Sequence, residues 1–425
     1  MVNYTRKKGG KYLGEGTYGC VFGDPPLKCK GDTERSTNDV VSKVMERRNA
    51  KKELTESELW KKIDPNQEFS ITAIKMCGFD KKYNSKNEPE KCLVRYRNKA
   101  IRKKVLTKRR DTLIFYKFGG TDLMKLKPHA KNYKSLFMAV LPLLKGLEKA
   151  HDNNIVHLDI KRDNIVSKIE NNKIVLRFID FGLSLNIKAL NPERPYPSVY
   201  YKNEILYPYW PFELGCFDNE GVLDAFWKIQ CKMEEYHHKN NTEISLIDTL
   251  AKIKTDPQDL YDIYTKVNFK NYSKVLKSVD MYSIGVLLSS LLFSYFSHVL
   301  DAYFNVYYYH HTGSSSRFET LKSKRWLKDE QIDFHSKINE NISKPISKLI
   351  ASLCDIDPNN RITASEAVKE YEKLLPVFEK YLDSKEITEG LDGQHILNKA
   401  ATIPHIETPL AKSSKTPNKS LKNVA

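Results

Sequence analysis

The stretch IVHLDIKRDNIV, residues 155–166, crowds two aspartates, two basic residues, a histidine and an asparagine between apolar flanks. Asp159 and Asn164 stand five residues apart, and Lys161 follows Asp159 by two. Downstream, the apolar run in KIVLRFIDFGLSL delivers Asp180 at its end, followed by Phe181 and Gly182. Upstream, VVSKVM carries Lys43 as the lone cation of an apolar run. Phosphoryl transfer to a hydroxyl requires these types: a carboxylate that orients the nucleophile and takes its proton, two oxygen ligands for Mg²⁺, and a cation on the phosphates. Asp159 suits the first role, Asn164 and Asp180 the second, and Lys43 the third. Lys161 is placed to neutralise charge on the transferring group.

A lysine on a buried strand needs a partner. The helical segment NAKKELTESELWKKI offers Glu53, Glu56 and Glu58. Leu59, Trp60 and Ile63 define its apolar face and Glu56 precedes that face by one turn, so Glu56 is the expected partner of Lys43, with Glu53 second. Near the N-terminus, LGEGTYGCVF spaces Gly14, Gly16 and Gly19 as GxGxxG. Glycines allow backbone N–H groups to approach phosphate oxygens. Alone this pattern is weak, but it runs into the strand-like CVFGDPP rather than a helix, which argues against a dinucleotide-binding βαβ unit. The expected phosphate cover is the hairpin of Leu13, Gly14, Glu15, Gly16, Thr17, Tyr18, Gly19, Cys20 and Val21.

The elements that must position these groups fall into two units. Residues 11–120 mix strand-like runs (CVF, DVVSKVM, TLIFYKF) with one helix, whereas the chain beyond about 121 is mainly helical, as in NYKSLFMAVLPLLKGLEKAHDNN. Three segments read as insertions: a basic one at about 80–110, and helical or loop-like ones at about 214–274 and 301–335. From about 384 the chain is polar, basic and Pro-punctuated, the composition of a disordered tail.

With 425 residues, 40% of them hydrophobic, the chain can bury a sizeable core. The formal charge of +17 favours polyanionic partners without choosing among them. Seven scattered cysteines without a CxxC pair exclude the usual zinc spacing and suggest reduced thiols, hence a cytoplasmic location. MVNYTRKKGGKYL lacks the apolar stretch of a signal peptide. Met281–Leu300 carries no Asp, Glu, Lys or Arg and is long enough to span a bilayer. Its five serines and His298 favour a buried central helix instead, so no transmembrane segment is expected.

In this order, the motifs resemble those of the eukaryotic-type protein kinase family, from about Lys11 to Leu375. The resemblance implies an α+β, bilobal protein kinase fold. Residues 1–118 would form a small β-rich N-lobe and residues 119–383 a larger α-helical C-lobe. It implies ATP and Mg²⁺ as cofactors, with Mn²⁺ able to substitute, and protein substrates with Ser/Thr acceptors. Val21 and Val41 would cover the adenine from above and Val166 from below. The inter-lobe linker would lie near Tyr116–Phe118, with Asp122 close to the ribose. Trp60, His157 and Phe181 would stack in a column joining the lobes, Asp280 would hold the catalytic-loop backbone, and Arg361 would pair with Glu213. Composition and insertions are similar to kinases of large DNA viruses, whose setting would be host cytoplasm or virion.

The chain departs from the family pattern at Leu158, where an arginine usually precedes the catalytic aspartate. That arginine normally grips a phosphate on the activation segment, so activity without such phosphorylation is expected. The segment GDPPLKCKGDTERSTN is expected to loop out between the Gly-rich hairpin and Lys43. Two other functions fit less well: a catalytically silent scaffold would typically have lost Lys43 or Asp180, and DPNNRITASEAV with the DFG form argues against a small-molecule phosphotransferase. The basic run Arg95–Arg110 could give weak polyanion contact. No aromatic platform accompanies it, which favours a solvated insertion.

Overall fold

A computed structural model of the protein describes residues 11–15, 19–32, 39–79, 110–126, 133–191, 193, 209–211, 263, 266–268, 270–304, 339–355 and 357–382. The basic run through residue 109, most of the two later insertions, Glu213 and the C-terminal tail lie outside the described residues.

Strands β1 (Lys11–Glu15), β2 (Gly19–Gly23), β3 (Val40–Glu46), β4 (Ala73–Gly78) and β5 (Arg110–Lys117) form one antiparallel sheet in the order β1-β2-β3-β5-β4. The two-residue period sorts its side chains. Val44, Leu113 and Phe115 join Cys20 and Phe22 on an outer face, while Met45 and Ile114 meet Ala50 and Ala73 on an inner one. Helix α1 (Arg47–Ile63) covers that inner face, with Ala50, Glu53, Ser57, Trp60 and Ile63 buried.

The outer face is also covered. The chain after β2 does not loop out at its start: Leu27 is buried there, and its N–H donates to Ser42 Oγ at 2.8 Å. Cys29 is joined to Cys77 of β4 by a disulfide, and Cys20 is disulfide-bonded as well. This corrects the expectation of reduced thiols, and a cytoplasmic location can no longer be argued from them. The spacing of these cysteines in sequence gave no hint, because strand pairing across the sheet brings them together.

Below the sheet lie α2 (Tyr133–Met138), α3 (Val140–Asp152), α4 (Tyr272–Phe304), α5 (Lys344–Leu353), α6 (Ala364–Glu372) and α7 (Leu375–Tyr381). They share a core that includes Leu143, Leu147, Ile284, Leu287, Leu353 and Phe378. Tyr371 donates its hydroxyl to Phe137 O at 2.8 Å, tying α6 to α2. Helix α6 starts on a capping box in which Thr363 and Glu366 satisfy each other's backbone N–H. The stretch Tyr272–Leu292 of α4 is long and apolar enough to cross a membrane, but most of it is buried within the protein. A helix apolar on all sides is here the core helix of the lower unit.

Short strands carry the site between the two units. β7 (Ile155–Val156) pairs with β10 (Leu185–Asn186), and β6 (Thr121–Asp122), β8 (Ile165–Glu170) and β9 (Lys173–Phe178) form a small sheet. The result is a β-rich upper lobe and a helical lower lobe, the α+β bilobal arrangement the sequence implies.

Candidate functional site

Lys43 lies mid-strand in β3, directly across from Val21 of β2 and Ile114 of β5. Its ammonium bonds both carboxylate oxygens of Glu53 at 2.8 Å. Both residues are buried, Lys43 at 7% exposure and Glu53 at 6%. The expected partner Glu56 is therefore corrected to Glu53. The buried positions of α1 run Ala50, Glu53, Ser57, Trp60, and Glu53 stands two turns before Trp60 on that stripe. Glu56 is rotated off it and pairs with Lys52 at 3.4 Å. Its Oε2 is buried without a hydrogen-bond partner, and burial pushes its carboxyl up to about 7.

The stretch that follows β7 builds the lower half. Asp280, fully buried on α4, accepts from the N–H of His157 at 2.8 Å and of Leu158 at 2.7 Å. It also meets His151 Nε2 at 3.1 Å, a partner that the sequence did not suggest. Leu158 takes a left-handed φ of 61°, a conformation unusual for a branched side chain, with its N–H bound by Asp280 and its carbonyl by the Trp210 indole. The chain then presents Asp159. Lys161 Nζ reaches both Asp159 oxygens at 3.1 Å, and Asn164 Nδ2 donates to Asp159 Oδ2 at 2.7 Å and to its carbonyl at 2.9 Å. Burial raises the Asp159 carboxyl above the usual range, and Lys161 partly offsets this.

Asp180 ends the chain segment after β9, also at a left-handed φ of 60°. Its carboxylate stands 3.9 Å from Lys43 Nζ, so upper and lower halves meet there. Burial alone would raise its pKa, but the charges of Lys43 and Lys161 outweigh that and hold it below the usual carboxylate range. Asn164 commits its amide nitrogen to Asp159, leaving its oxygen for a cation. An amide oxygen and an anionic carboxylate are hard donors that fit Mg²⁺. Among the described residues no cluster of three or more His, Cys, Asp or Glu offers a different metal site.

Phe181 stacks on Trp60 with ring centroids 4.8 Å apart, and His157 packs 5.5 Å from Trp60 and 5.4 Å from Phe181. The Trp60 indole donates to Ser184 Oγ at 2.9 Å. Lys52 adds a second tie between α1 and the segment after β9, donating to Gly182 O at 3.0 Å.

The nucleotide-facing residues are placed unevenly. Leu13, Gly14 and Glu15 lie on β1, and Gly19, Cys20 and Val21 on β2; Gly16, Thr17 and Tyr18 lie outside the described residues. A Cβ on Gly19 would come within 2.6 Å of Val44 O, so the hairpin needs glycine there. Val21 and Val41 share the inner face with Lys43 by alternation. Cys20 does not: its side chain is fully buried in the outer-face cluster, which removes it from the nucleotide side. Val166 pairs with Asp122, which bonds Lys125 at 2.7 Å, and a Cβ on Gly119 would meet Val166 Cγ2 at 2.6 Å. Arg361 is buried against Tyr282 and donates to Asp355 O at 2.8 Å, while its expected partner Glu213 lies outside the described residues.

Comparison with known proteins agrees with this geometry. Residues 8–208 match the family model described as Protein kinase domain. The chain is similar to Cyclin-dependent kinase 12 of Drosophila melanogaster, 27% identical over 264 residues, covering 58% of this chain and 19% of that protein. It is 31% identical over 190 residues to Cyclin-dependent kinase C-2 C of Arabidopsis thaliana, covering 41% of this chain and 28% of that protein. Over 70 residues it is 36% identical to a probable serine/threonine-protein kinase, fnkE, of Dictyostelium discoideum, covering 16% of this chain and 5% of that protein. The chain thus spans less than a third of the length of each of these relatives.

Proposed function

Because the chain belongs to the eukaryotic-type protein kinase family, we propose that it transfers the γ-phosphoryl group of ATP to Ser and Thr hydroxyls of proteins, with Mg²⁺ as metal. The observation that carries this reading is the convergence of Lys43 and Asp180, 3.9 Å apart, with the Asp159–Lys161–Asn164 network beside them. Asp159 orients the acceptor hydroxyl and takes its proton, a role helped by a carboxyl whose affinity for protons burial has raised. Lys161 meets charge on the transferring phosphoryl group, and Lys43, held by Glu53, steadies the phosphates behind it. Asn164 and Asp180 would hold Mg²⁺, which when bound neutralises phosphate charge. Lys161 supports a Ser/Thr acceptor, because tyrosine kinases generally carry another residue at that position. A silent scaffold is disfavoured, since every group named is present and in reach of the others.

The test is incubation with labelled ATP, Mg²⁺ and a panel of acidic and basic model proteins, with Asp159→Ala alongside. Label on Ser or Thr that drops by roughly a thousandfold in the variant is expected. Equal labelling by both proteins, or none by the wild type, overturns the reading.

A further inference from the structure

Glu53 accepts a third bond that the Lys43 pair does not require. Tyr116, next to last in β5, lies opposite Val41 of β3 and Ala73 of β4, on the inner face of the sheet. Its hydroxyl donates to Glu53 Oε1, the oxygen that also accepts from Lys43. Three elements, β3, α1 and β5, thus meet at one carboxylate. Burial, and then the Glu53 charge, push the Tyr116 phenol well above its ordinary pKa, so it remains a donor at any working pH.

The geometry of α1 makes this bond consequential. The helix follows β3 without a break, and its N-cap, Glu46, makes no side-chain capping bond. Its orientation therefore depends on lateral ties. Ser57 accepts from Ala73 N–H at 2.6 Å, Trp60 bonds Ser184, Lys52 bonds Gly182, and Glu53 reaches the sheet. An ammonium at the end of four methylenes is a mobile anchor, whereas a phenol on a central strand is a fixed one. With Lys43 as its sole partner, Glu53 could follow the lysine. With Tyr116 added, its position is referred to the backbone of β5.

We infer that Tyr116 is a positioning residue: its hydroxyl fixes Glu53, and through Glu53 fixes Lys43 and α1, in the arrangement that phosphoryl transfer uses. The inference rests on the proposed kinase reading for its kinetic consequence but not for its structural one. The ring is a separate matter from the hydroxyl, since the ring packs against Ile114, Ala73 and α1 whether or not the oxygen is there.

The experiment compares wild type, Tyr116→Phe, Glu53→Gln and the double variant, using ATP, Mg²⁺ and myelin basic protein as acceptor. Tyr116→Phe is expected to lower kcat roughly five- to tenfold, with KM for ATP within about twofold, because the ring and the valines are unchanged. In the Glu53→Gln background the same change should lower kcat less than about twofold, because its target has been altered. Hydrogen exchange of the α1 amides without nucleotide should quicken in Tyr116→Phe, while exchange in α3 and α4 stays as in wild type. This readout needs no catalysis, so an inert wild type sinks the kinase reading and leaves the tether to be judged by exchange. Full kcat with unchanged α1 exchange overturns the inference. So does an equal loss in both backgrounds, and so does faster exchange throughout the protein with a lowered melting temperature, which would mean general destabilisation.

Discussion

Lys43 above the cleft is positioned through the side chains of Glu53 and Tyr116, whereas Asp159 below it is positioned through its own backbone, whose neighbouring amides are bound by Asp280. The upper anchor stands on a helix joined to the lower segment by a few polar ties at Lys52 and Trp60. The lower anchor stands inside the main core, on a helix packed on all sides. A side-chain tether can be released by moving one helix outward, and the freed carboxylate then finds water. A buried carboxylate that satisfies two amides has no such escape. The difference separates stability from activity: the lower half should be costly to disturb for folding, the upper half mainly for catalysis.

The largest effect tests that separation directly. Asp280→Ala leaves the His157 and Leu158 N–H groups buried without acceptors, at about 1–3 kcal/mol each. The buried His151 ring is deprived of the same carboxylate. Destabilisation of roughly 3–5 kcal/mol is expected, a fall of about 10 °C or more in melting temperature. Lys43→Met should lower kcat/KM by about a hundredfold or more, or ~2.7 kcal/mol of transition-state stabilisation, with less than half that fall in melting temperature. Calorimetry and steady-state kinetics on both variants decide the matter. If Lys43→Met melts as low as Asp280→Ala, the upper tether is as much a part of the core as the lower one, and the contrast fails.

The same contrast explains what the sequence disclosed. In the lower half the sequence named Asp159, Lys161 and Asn164, which one short segment carries into a single hydrogen-bonded network. It also named Asp180, which the pairing of β8 with β9 returns toward that network, Ile179 N–H donating to Asn164 O at 2.9 Å. Asp280 was legible only through resemblance to the family. The upper half depends on helix phase and strand pairing, and there the sequence misled. Leu59, Trp60 and Ile63 suggested an apolar face beginning one turn after Glu56, but the buried stripe is set by Ala50, Ser57 and Trp60 and includes Glu53. Counting back seven residues from the Trp60 position, two full turns, would have found it. The role of Tyr116 left no trace, since a tyrosine in an apolar strand is ordinary β composition. The covering of the outer sheet face by Leu27 and Cys29 was equally hidden, because pairing between distant strands creates the surface they cover.

A smaller effect concerns Glu56, the residue rotated off the buried stripe. Burial raises its carboxyl from 4.5 to about 7 in the folded protein, with Lys52 pulling the other way. The folded state therefore binds the proton more tightly than the unfolded chain. The stabilisation is fully present below pH 4.5 and is lost as pH rises through about 7. Because Glu56 is not wholly enclosed, water relieves part of the burial penalty, and the loss is on the order of 1–2 kcal/mol rather than the full shift. Glu56→Gln should remove this slope. Melting temperatures from pH 5 to 8, taken without nucleotide or Mg²⁺, should fall more for wild type than for the variant. Parallel curves would place the Glu56 carboxylate in water and loosen α1 further than the contrast allows.

The smallest effect expected is none at all, and it bears on the lower half. Where the family usually has an arginine, Leu158 is fully buried in an apolar cluster with Val156, Ile187, Val275, Leu276 and Val279. The Trp210 indole closes over it, donating to the Leu158 carbonyl at 3.0 Å. This contact ties residue 210 to the segment that presents Asp159 by packing and one hydrogen bond, a link that needs no added charge. A phosphate on the intervening segment would find no guanidinium at position 158 to order it. Protein produced together with a phosphatase should therefore match untreated protein in kcat to within about twofold. Mass spectrometry would confirm that the treated sample carries no phosphate. Activity that appears only after autophosphorylation would mean that another cation performs the ordering, and that the lower half, like the upper, is set by a charge that can be withdrawn.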